Sequence, residues 1–479
     1  MSLNMTIRLQ LINKPGTLAS ALSVIAAEGG GLGSIDLLSA SSTHVVRELM
    51  VRLRDRSCLE GIVAALDKLP GVEMTQLADR VFLQHLGGKI EIKTKREIKN
   101  HEDLALVYTP GVARVSRAIE HDPEMAHRLT MKGNTVVIVT DGSAVLGLGN
   151  IGPQAALPVM EGKSVLFKKF ANINAIPLCI DVHDSRSIID TVMACAPTFG
   201  GINLEDIAAP RCFEIEDELS RRLDIPVFHD DQHGTAIVTL AGLLNALRVV
   251  HKELAGVKIV ISGAGAAGVA ITKMLLTAGA GEIIVCDRRG AITEDTPPTE
   301  ASKLWLAEHT NRRFVHGTLK DVIVGADVFI GVSGPGLLNR QDILGMANQP
   351  VVFTLANPEP EVDPEEIMDV AGVLATGRSD YPNQINNVLV FPGVFRGALD
   401  CHASCINDEM CMAAAQALAD IVKEEQLSAE YIIPSVFNDE VCPTVARAVE
   451  NAARKTGVSR KYRFEESEQG SLLYDPSLD

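Results

Sequence analysis

The stretch Lys258-Ile259-Val260-Ile261-Ser262-Gly263-Ala264-Gly265-Ala266-Ala267-Gly268 decides most of the fold. A short apolar run enters a glycine pattern, and Val269 to Ala278 continues with the composition of an apolar helix. Gly263 permits a tight turn, Gly265 lets backbone approach a pyrophosphate, and Gly268 lets the helix pack closely on the strand. The N–H groups at the helix start, around Ala266 and Ala267, would hold the phosphates. Asp287 ends the next run, Glu282 to Asp287, where a carboxylate can accept from ribose hydroxyls. A Rossmann-type dinucleotide-binding domain follows. Asp287 favours NAD over NADP because it would repel a 2′-phosphate. Arg288 and Arg289 come next and could bind that phosphate, so the preference is only a lean toward NAD.

A second Gly-x-Gly-x-x-Gly, Gly147 to Gly152, fails the same context test. It does not follow its strand directly, and Pro153 and Pro158 are expected to prevent a continuous helix behind it. Working upstream and downstream of that loop, four apolar runs each reach an aspartate: Thr135 to Asp141, Ala175 to Asp181, Gly201 to Asp206 and Ile225 to Asp231. Continuous Val/Ile/Leu runs separated by helix-length segments read as parallel strands covered on both faces. Ligands of such sheets bind beyond the carboxyl ends of the strands, so these acids are expected at one rim. Glu205, Asp206 and Asp231 offer hard oxygen donors suited to Mg²⁺ or Mn²⁺.

Other residues near that rim have blander readings. His229 and His233 are four apart, but they follow a strand, and the next helix is expected only near Gly234 and Thr235. Capping or supporting roles therefore suit them better than zinc ligation. Lys163, in Met160-Glu161-Gly162-Lys163, is placed at the start of the crossover helix, where a desolvated lysine can act as a base. Tyr108 sits in Tyr108-Thr109-Pro110-Gly111-Val112, where a buried structural tyrosine is the default. Cys401, His402, Cys405 and Cys411 lie close in sequence, but their spacings match no standard zinc site.

Length and charge bound the answer further. The 479 residues allow about three domains. A net charge of −17 argues against nucleic acid and anionic membrane surfaces as partners. No signal peptide or membrane-length apolar stretch is visible. Nine dispersed cysteines without Cys-x-x-Cys fit a reduced, cytoplasmic setting, with Cys179 and Cys286 inside buried strands.

Residues 1–85 read as a separate unit with strands Thr6–Ile12, Gly33–Ser41, His44–Arg52 and Val72–Leu83, and helices Thr17–Glu28 and Leu59–Leu69. The order β-α-β-β-α-β is the ferredoxin-like arrangement. With Asn13-Lys14-Pro15-Gly16-Thr17-Leu18 after the first strand, it resembles the ACT domain. That resemblance implies a small-metabolite effector around Asn13 and Gly16, or a dimerisation module without ligand. The remaining chain divides into a metal-binding catalytic domain at 86–245, the dinucleotide domain at 246–430, a helical segment at 431–465 and a disordered tail at 466–479.

Several further motifs carry a closer resemblance. Tyr-Thr-Pro-Gly-Val at 108–112, Val-Thr-Asp-Gly at 139–142 and Gly-Leu-Gly-Asn-Ile-Gly at 147–152 look like malic enzymes. So do Met-Glu-Gly-Lys at 160–163, Asn-Leu-Glu-Asp at 203–206, Phe-His-Asp-Asp-Gln-His-Gly-Thr at 228–235, Leu-Ala-Asn-Pro at 355–358 and Asn-Asn-Val at 386–388. The resemblance implies Lys163 as general base on the malate hydroxyl, tuned by Asp230, and Tyr108 as the acid that protonates enolpyruvate. It implies Glu205, Asp206 and Asp231 as metal ligands, and Asn357, Asn386 and Asn387 as cofactor and substrate contacts. The implied reaction is oxidative decarboxylation of malate with NAD or NADP, in a homo-oligomer. A malolactic-type enzyme and a non-catalytic metabolite sensor are the alternatives. One departure stands out: the arginine that larger members carry after Thr-Asp-Gly is replaced by Ala144, as in shorter bacterial-type members. What binds malate's carboxylates is therefore open.

Overall fold

The structure, a computed structural model, describes residues 3–145 and 147–460. The tail expected at 466–479 lies outside the described residues. The chain forms two units, one through Lys93 and one from Thr94 onward.

In the first unit, β1 (Leu3–Ile12), β2 (Gly31–Ala40), β3 (His44–Leu53) and β4 (Val72–Asp79) form a sheet in the order β2-β3-β1-β4, antiparallel throughout. Helices Thr17–Ala27 and Arg56–Leu66 complete the ferredoxin-like order. Alternate residues Ile7, Leu9 and Leu11 of β1 meet Ala21, Ile25, Ile62 and Leu66, each helix pair four apart and so on one face. The last strand ends at Asp79 rather than Leu83. The Asp79 carboxylate accepts from the Val81 amide at 2.8 Å, capping a short helix Arg80–His85 that the apolar run had disguised as strand.

The second unit opens with helices His101–Val107, Val112–His121 and Met125–Leu129. The strands β5 (Thr135–Thr140), β6 (Asn174–Cys179), β7 (Gly201–Leu204) and β8 (Val227–His229) then form a parallel sheet in the order β6-β5-β7-β8. Every residue of β5 is buried. Val136 and Ile138 pack with Phe167 and Phe228, whereas Val137 and Val139 pack with Ile188 and Leu219. Alternate side chains thus feed two cores, which explains why the run is apolar without alternation. Cys179 is only half-buried because β6 lies at the sheet edge.

A second sheet contains β9 (Lys258–Ser262), β10 (Glu282–Asp287), β11 (Gly290–Ala291), β12 (Val328–Gly331), β13 (Val351–Thr354) and β14 (Val373–Thr376). Its order is β11-β10-β9-β12-β13-β14, parallel except for β11. The order reverses at β9, so the glycine loop after it opens at the switch point. The apolar run at 388–392 adds no strand. It forms a short turn at Asn387–Leu389 and then the helix Phe391–Asp400. Helices Asp408–Ile421 and Val441–Lys455 close the described chain. Among the described residues, no helix is long and apolar enough to cross a membrane.

Candidate active site

Lys163 does not begin its helix. The helix runs unbroken from Pro153 to Ala171, contrary to the expectation that its prolines would interrupt it. Pro153 occupies the first turn, where its missing N–H has no partner to lose, and Pro158 sits inside at the cost of one backbone bond. Lys163 therefore lies about three turns in, buried, with its side chain reaching the residues that follow β7 and β8. Its ammonium donates to Glu205 Oε1 at 2.8 Å and to Asp230 Oδ2, and lies 4.1 Å from the centre of the Phe391 ring.

Each carboxylate has a further donor. Asn203 Nδ2 donates to Glu205 Oε2 at 2.8 Å, and Asn387 Nδ2 donates to Asp230 Oδ2. The other oxygen of Asp230 is buried without a hydrogen-bond partner. Burial pushes the Asp230 carboxyl up to about 8, overcoming the pull of Lys163. Burial also favours a neutral Lys163, but Asp230 and Glu205 together outweigh it and keep the ammonium. Burial raises Glu205 and Asp231 as well.

Glu205, Asp206 and Asp231 place one oxygen each within 4.8 Å of one another. The Asp206 amide donates to Asp231 Oδ2 at 2.9 Å, tying the ends of β7 and β8 together. Asp206 itself is in the left-handed region at φ 54°, and its carbonyl accepts from the Ala144 amide. A non-glycine residue held there costs energy and marks a site fixed by its surroundings. With Asp230, which Lys163 contacts alongside Glu205, four acids lie on the turns after β7 and β8. That cluster of hard oxygen donors fits a divalent cation.

The rim is more selective than the sequence pattern implies. Asp181 follows the edge strand β6, and its side chain is 83% exposed. Asp141 is buried but taken by Arg211, Ser143 Oγ and the Ser143 amide. Residues Asp230–Gly234 form a π-helical turn leading into the helix Thr235–Val249, so helical structure starts earlier than expected. His233 Nε2 pairs with Glu216 at 3.0 Å, while His229 is fully buried and burial lowers its pKa. Cys401, His402, Cys405 and Cys411 form no metal-ligating group among the described residues.

Tyr108 is 68% exposed at the end of helix His101–Val107, not buried, and makes no hydrogen bond to the Lys163 cluster. Asn387 joins that cluster through Asp230, and Asn386 caps the turn that carries it, accepting from the Val388 amide. The glycine loop 147–152 reaches Asn357: a Cβ on Gly147 would lie 2.5 Å from the Asn357 carbonyl oxygen. In the nucleotide half, Gly263 has φ 120° and a Cβ on Gly268 would lie 1.8 Å from its carbonyl oxygen, so both must be glycine. Ala266 and Ala267 start the helix Ala266–Thr277 beside Gly265. Asp287 accepts from the Arg289 amide at 2.8 Å and pairs with Lys303 Nζ at 3.3 Å. Lys303, Glu216 and Phe391 were not singled out from sequence. Only the fold brings them to their partners.

Comparison with known proteins agrees with this geometry. Residues 87–190 match the family description "Malic enzyme, N-terminal domain", and residues 232–454 match "Malic enzyme, NAD binding domain". An NAD-dependent malic enzyme of Geobacillus stearothermophilus is 55% identical over 96% of both chains. A bifunctional malic/malolactic enzyme of Bacillus subtilis is 54% identical, over 78% of this chain and 92% of the relative. The crystal structure of an NAD-dependent malic enzyme from Thermotoga maritima superimposes with a TM-score of 0.75 at 46% identity, covering 78% of this chain and 99% of that one. The chain belongs to the malic enzyme family.

Proposed function

We propose that the protein oxidises (S)-malate and decarboxylates it to pyruvate and CO₂, reducing NAD⁺ or NADP⁺, with a divalent metal. The observation that carries this reading is the buried Lys163 ammonium held between Glu205 and Asp230, beside a three-carboxylate cluster.

Lys163 takes the proton of the malate hydroxyl as hydride leaves C2 for the nicotinamide. It acts in its unprotonated form, the form burial favours, while Asp230 and Glu205, which oppose that form, hold and orient the nitrogen. Asn387 fixes Asp230 against Lys163, and Asn386 and Asn357 line the approach from the nucleotide side. Glu205, Asp206 and Asp231 would hold Mg²⁺ or Mn²⁺, which would supply Lewis-acid charge to the keto acid. Tyr108 delivers the proton to C3 of enolpyruvate. Its exposure, with Leu104, Leu106 and Val107 exposed around it, fits a homo-oligomer in which this face is covered. With Ala144 in place of an arginine, no side chain of that loop offers a cation to the substrate. The N-terminal unit binds a small-metabolite effector near Asn13 and Gly16, and the reaction runs in the cytoplasm.

The relative described as a bifunctional malic/malolactic enzyme favours a second activity, release of lactate with the nicotinamide retained. Initial rates with malate, NAD⁺ or NADP⁺, and Mn²⁺ or chelator, with pyruvate and lactate quantified, test both. Folded protein that forms neither product in the presence of Mn²⁺ refutes the reading.

A further inference from the structure

A cavity of about 510 Å³ lies behind the carboxylate cluster, lined by none of the residues assigned above to chemistry. Its walls come from helix Arg211–Arg222 of the metal half, helices Ala266–Thr277 and Ala301–His309 of the nucleotide half, and the start of helix Asp408–Ile421. The floor is the buried Glu216 with its half-buried partner His233, and exposed Asp217 and Asp408 stand at the mouth. One side is aromatic: Trp305, with Lys273 Nζ 5.3 Å from its ring centre.

That lining selects among ligands. Glu214, Glu216, Asp217 and Asp408 outnumber Lys273 and His233, which opposes phosphates and dicarboxylates. Lys273 still offers one anion contact, directly beside an apolar aromatic face. The geometry points to a second ligand site for a small zwitterion with an apolar body, the chemistry of an α-amino acid. Its ammonium meets Asp217 or Asp408, its carboxylate meets Lys273, and its side chain packs on Trp305.

Occupancy reaches the metal cluster by one step. Glu216 accepts from the His229 amide at 2.8 Å and from Gln232 Nε2 at 2.9 Å, so it fastens the turn that carries Asp230 and Asp231. A molecule packed on the Glu216–His233 pair stiffens that turn and braces the two halves against each other.

Trp305 is the only tryptophan in the chain, so indole emission reports on this cavity alone. Full-length protein without malate, nucleotide or metal is titrated with L-leucine, and a saturable change in emission is expected. The analogues 4-methylpentanoate and 3-methylbutylamine, each lacking one charge, should need about tenfold more or higher, the worth of one charge-assisted contact. Lys273→Met should weaken L-leucine about tenfold. Ser302→Phe, which fills the cavity from another helix, should abolish the response, and thermal unfolding verifies that each variant is folded. If one variant does not fold, the other and the two analogues decide. No emission change up to on the order of tens of millimolar, equal binding of either analogue, an unchanged affinity in Lys273→Met, or a response surviving Ser302→Phe overturns the proposal. The titration uses no turnover, so its failure leaves the malate reaction standing, and the converse also holds.

Discussion

Replacing Lys163 with Met removes the one ammonium among four acids, and the structure fixes how the damage should vary with pH. Glu205 keeps only Asn203 as a donor, and Asp230 keeps only Asn387. Breaking a buried ion pair costs roughly 3–5 kcal/mol when the remaining charge stays ionised. Here it need not stay ionised. Asp230 is already held up to about 8 with Lys163 present, and losing the ammonium removes the main influence pulling it down. The folded state binds this proton more tightly than the unfolded chain does, so stability from Asp230 is full below its ordinary value of 3.8 and is lost as pH rises toward about 8. Above about 8 the parent protein has stopped losing stability on this account. The variant, with Asp230 held higher still, continues to lose about 1.4 kcal/mol per pH unit. Lys163 contributes no opposing slope there, since its stabilisation is lost only above its ordinary value of 10.5. Thermal unfolding in chelator should therefore show a gap between the two proteins that widens by at least roughly 2 kcal/mol between about pH 8 and about pH 9.5, Glu205 and Asp231 adding to it in the same direction. A gap that stays flat or narrows over that range refutes the assignment of Asp230 as the group that carries the proton. Activity should also fall by at least about a hundredfold in kcat, the usual share of a general base, with nucleotide binding unchanged.

Three further outcomes are expected. Mn²⁺ at about a hundredfold over its Kd should stabilise the protein by about 2.7 kcal/mol, and Asp206→Asn should remove most of that thermal shift; a full shift in the variant would take Asp206 out of the metal site. Lys303→Ala leaves Asp287 without its lysine partner and should lower kcat/KM for NADP⁺ relative to NAD⁺ by about tenfold; an unchanged ratio would show that Lys303 does not face the 2′ position. Burial, with help from Lys132, pushes the half-buried His127 down to about 4, so the unfolded chain takes up that proton first. Stability is then full above about 6.5 and is lost as pH falls from about 6.5 toward about 4; His127→Gln should flatten this slope by about 1–2 kcal/mol after allowance for solvent, and an unaltered slope between those values would contradict it.

The parts of the molecule legible in the sequence are those whose pattern is set by burial or by backbone geometry. Thr135 to Thr140 is apolar at every position because both faces of β5 are covered, and Gly263 and Gly268 are fixed by a positive φ and a close approach. Local competition hid other features. Two prolines argued against the helix Pro153–Ala171, yet the first stands where proline is welcome, and helix packing tolerates the second. The acid ending an apolar run marks a strand end but not where it points: Asp181 stands in solvent, while Asp206 and Asp231 converge with Glu205. Lys303 and Glu216 carried no signal, because their partners are chosen by how helices lie across the two sheets.

The same geometry explains why Lys163 sits in mid-helix. A lysine in the first turn would lie beside the positive end of the helix dipole, which favours an unprotonated amine but repels the cation needed next to it. About three turns in, the dipole is weak, and the charge of Lys163 is governed instead by Glu205 and Asp230 from β7 and β8. Glu205 belongs to both constellations: one oxygen takes the Lys163 ammonium, and the residue also completes the three-carboxylate group. The proposed base and the proposed metal ligands are therefore not independent fixtures, and any change that draws charge toward one is felt by the other. Substituting Glu205 should accordingly disturb metal affinity and the pH dependence of turnover together, whereas Asp206, which belongs to the three-carboxylate group and donates its amide to Asp231 Oδ2, should disturb the first far more than the second.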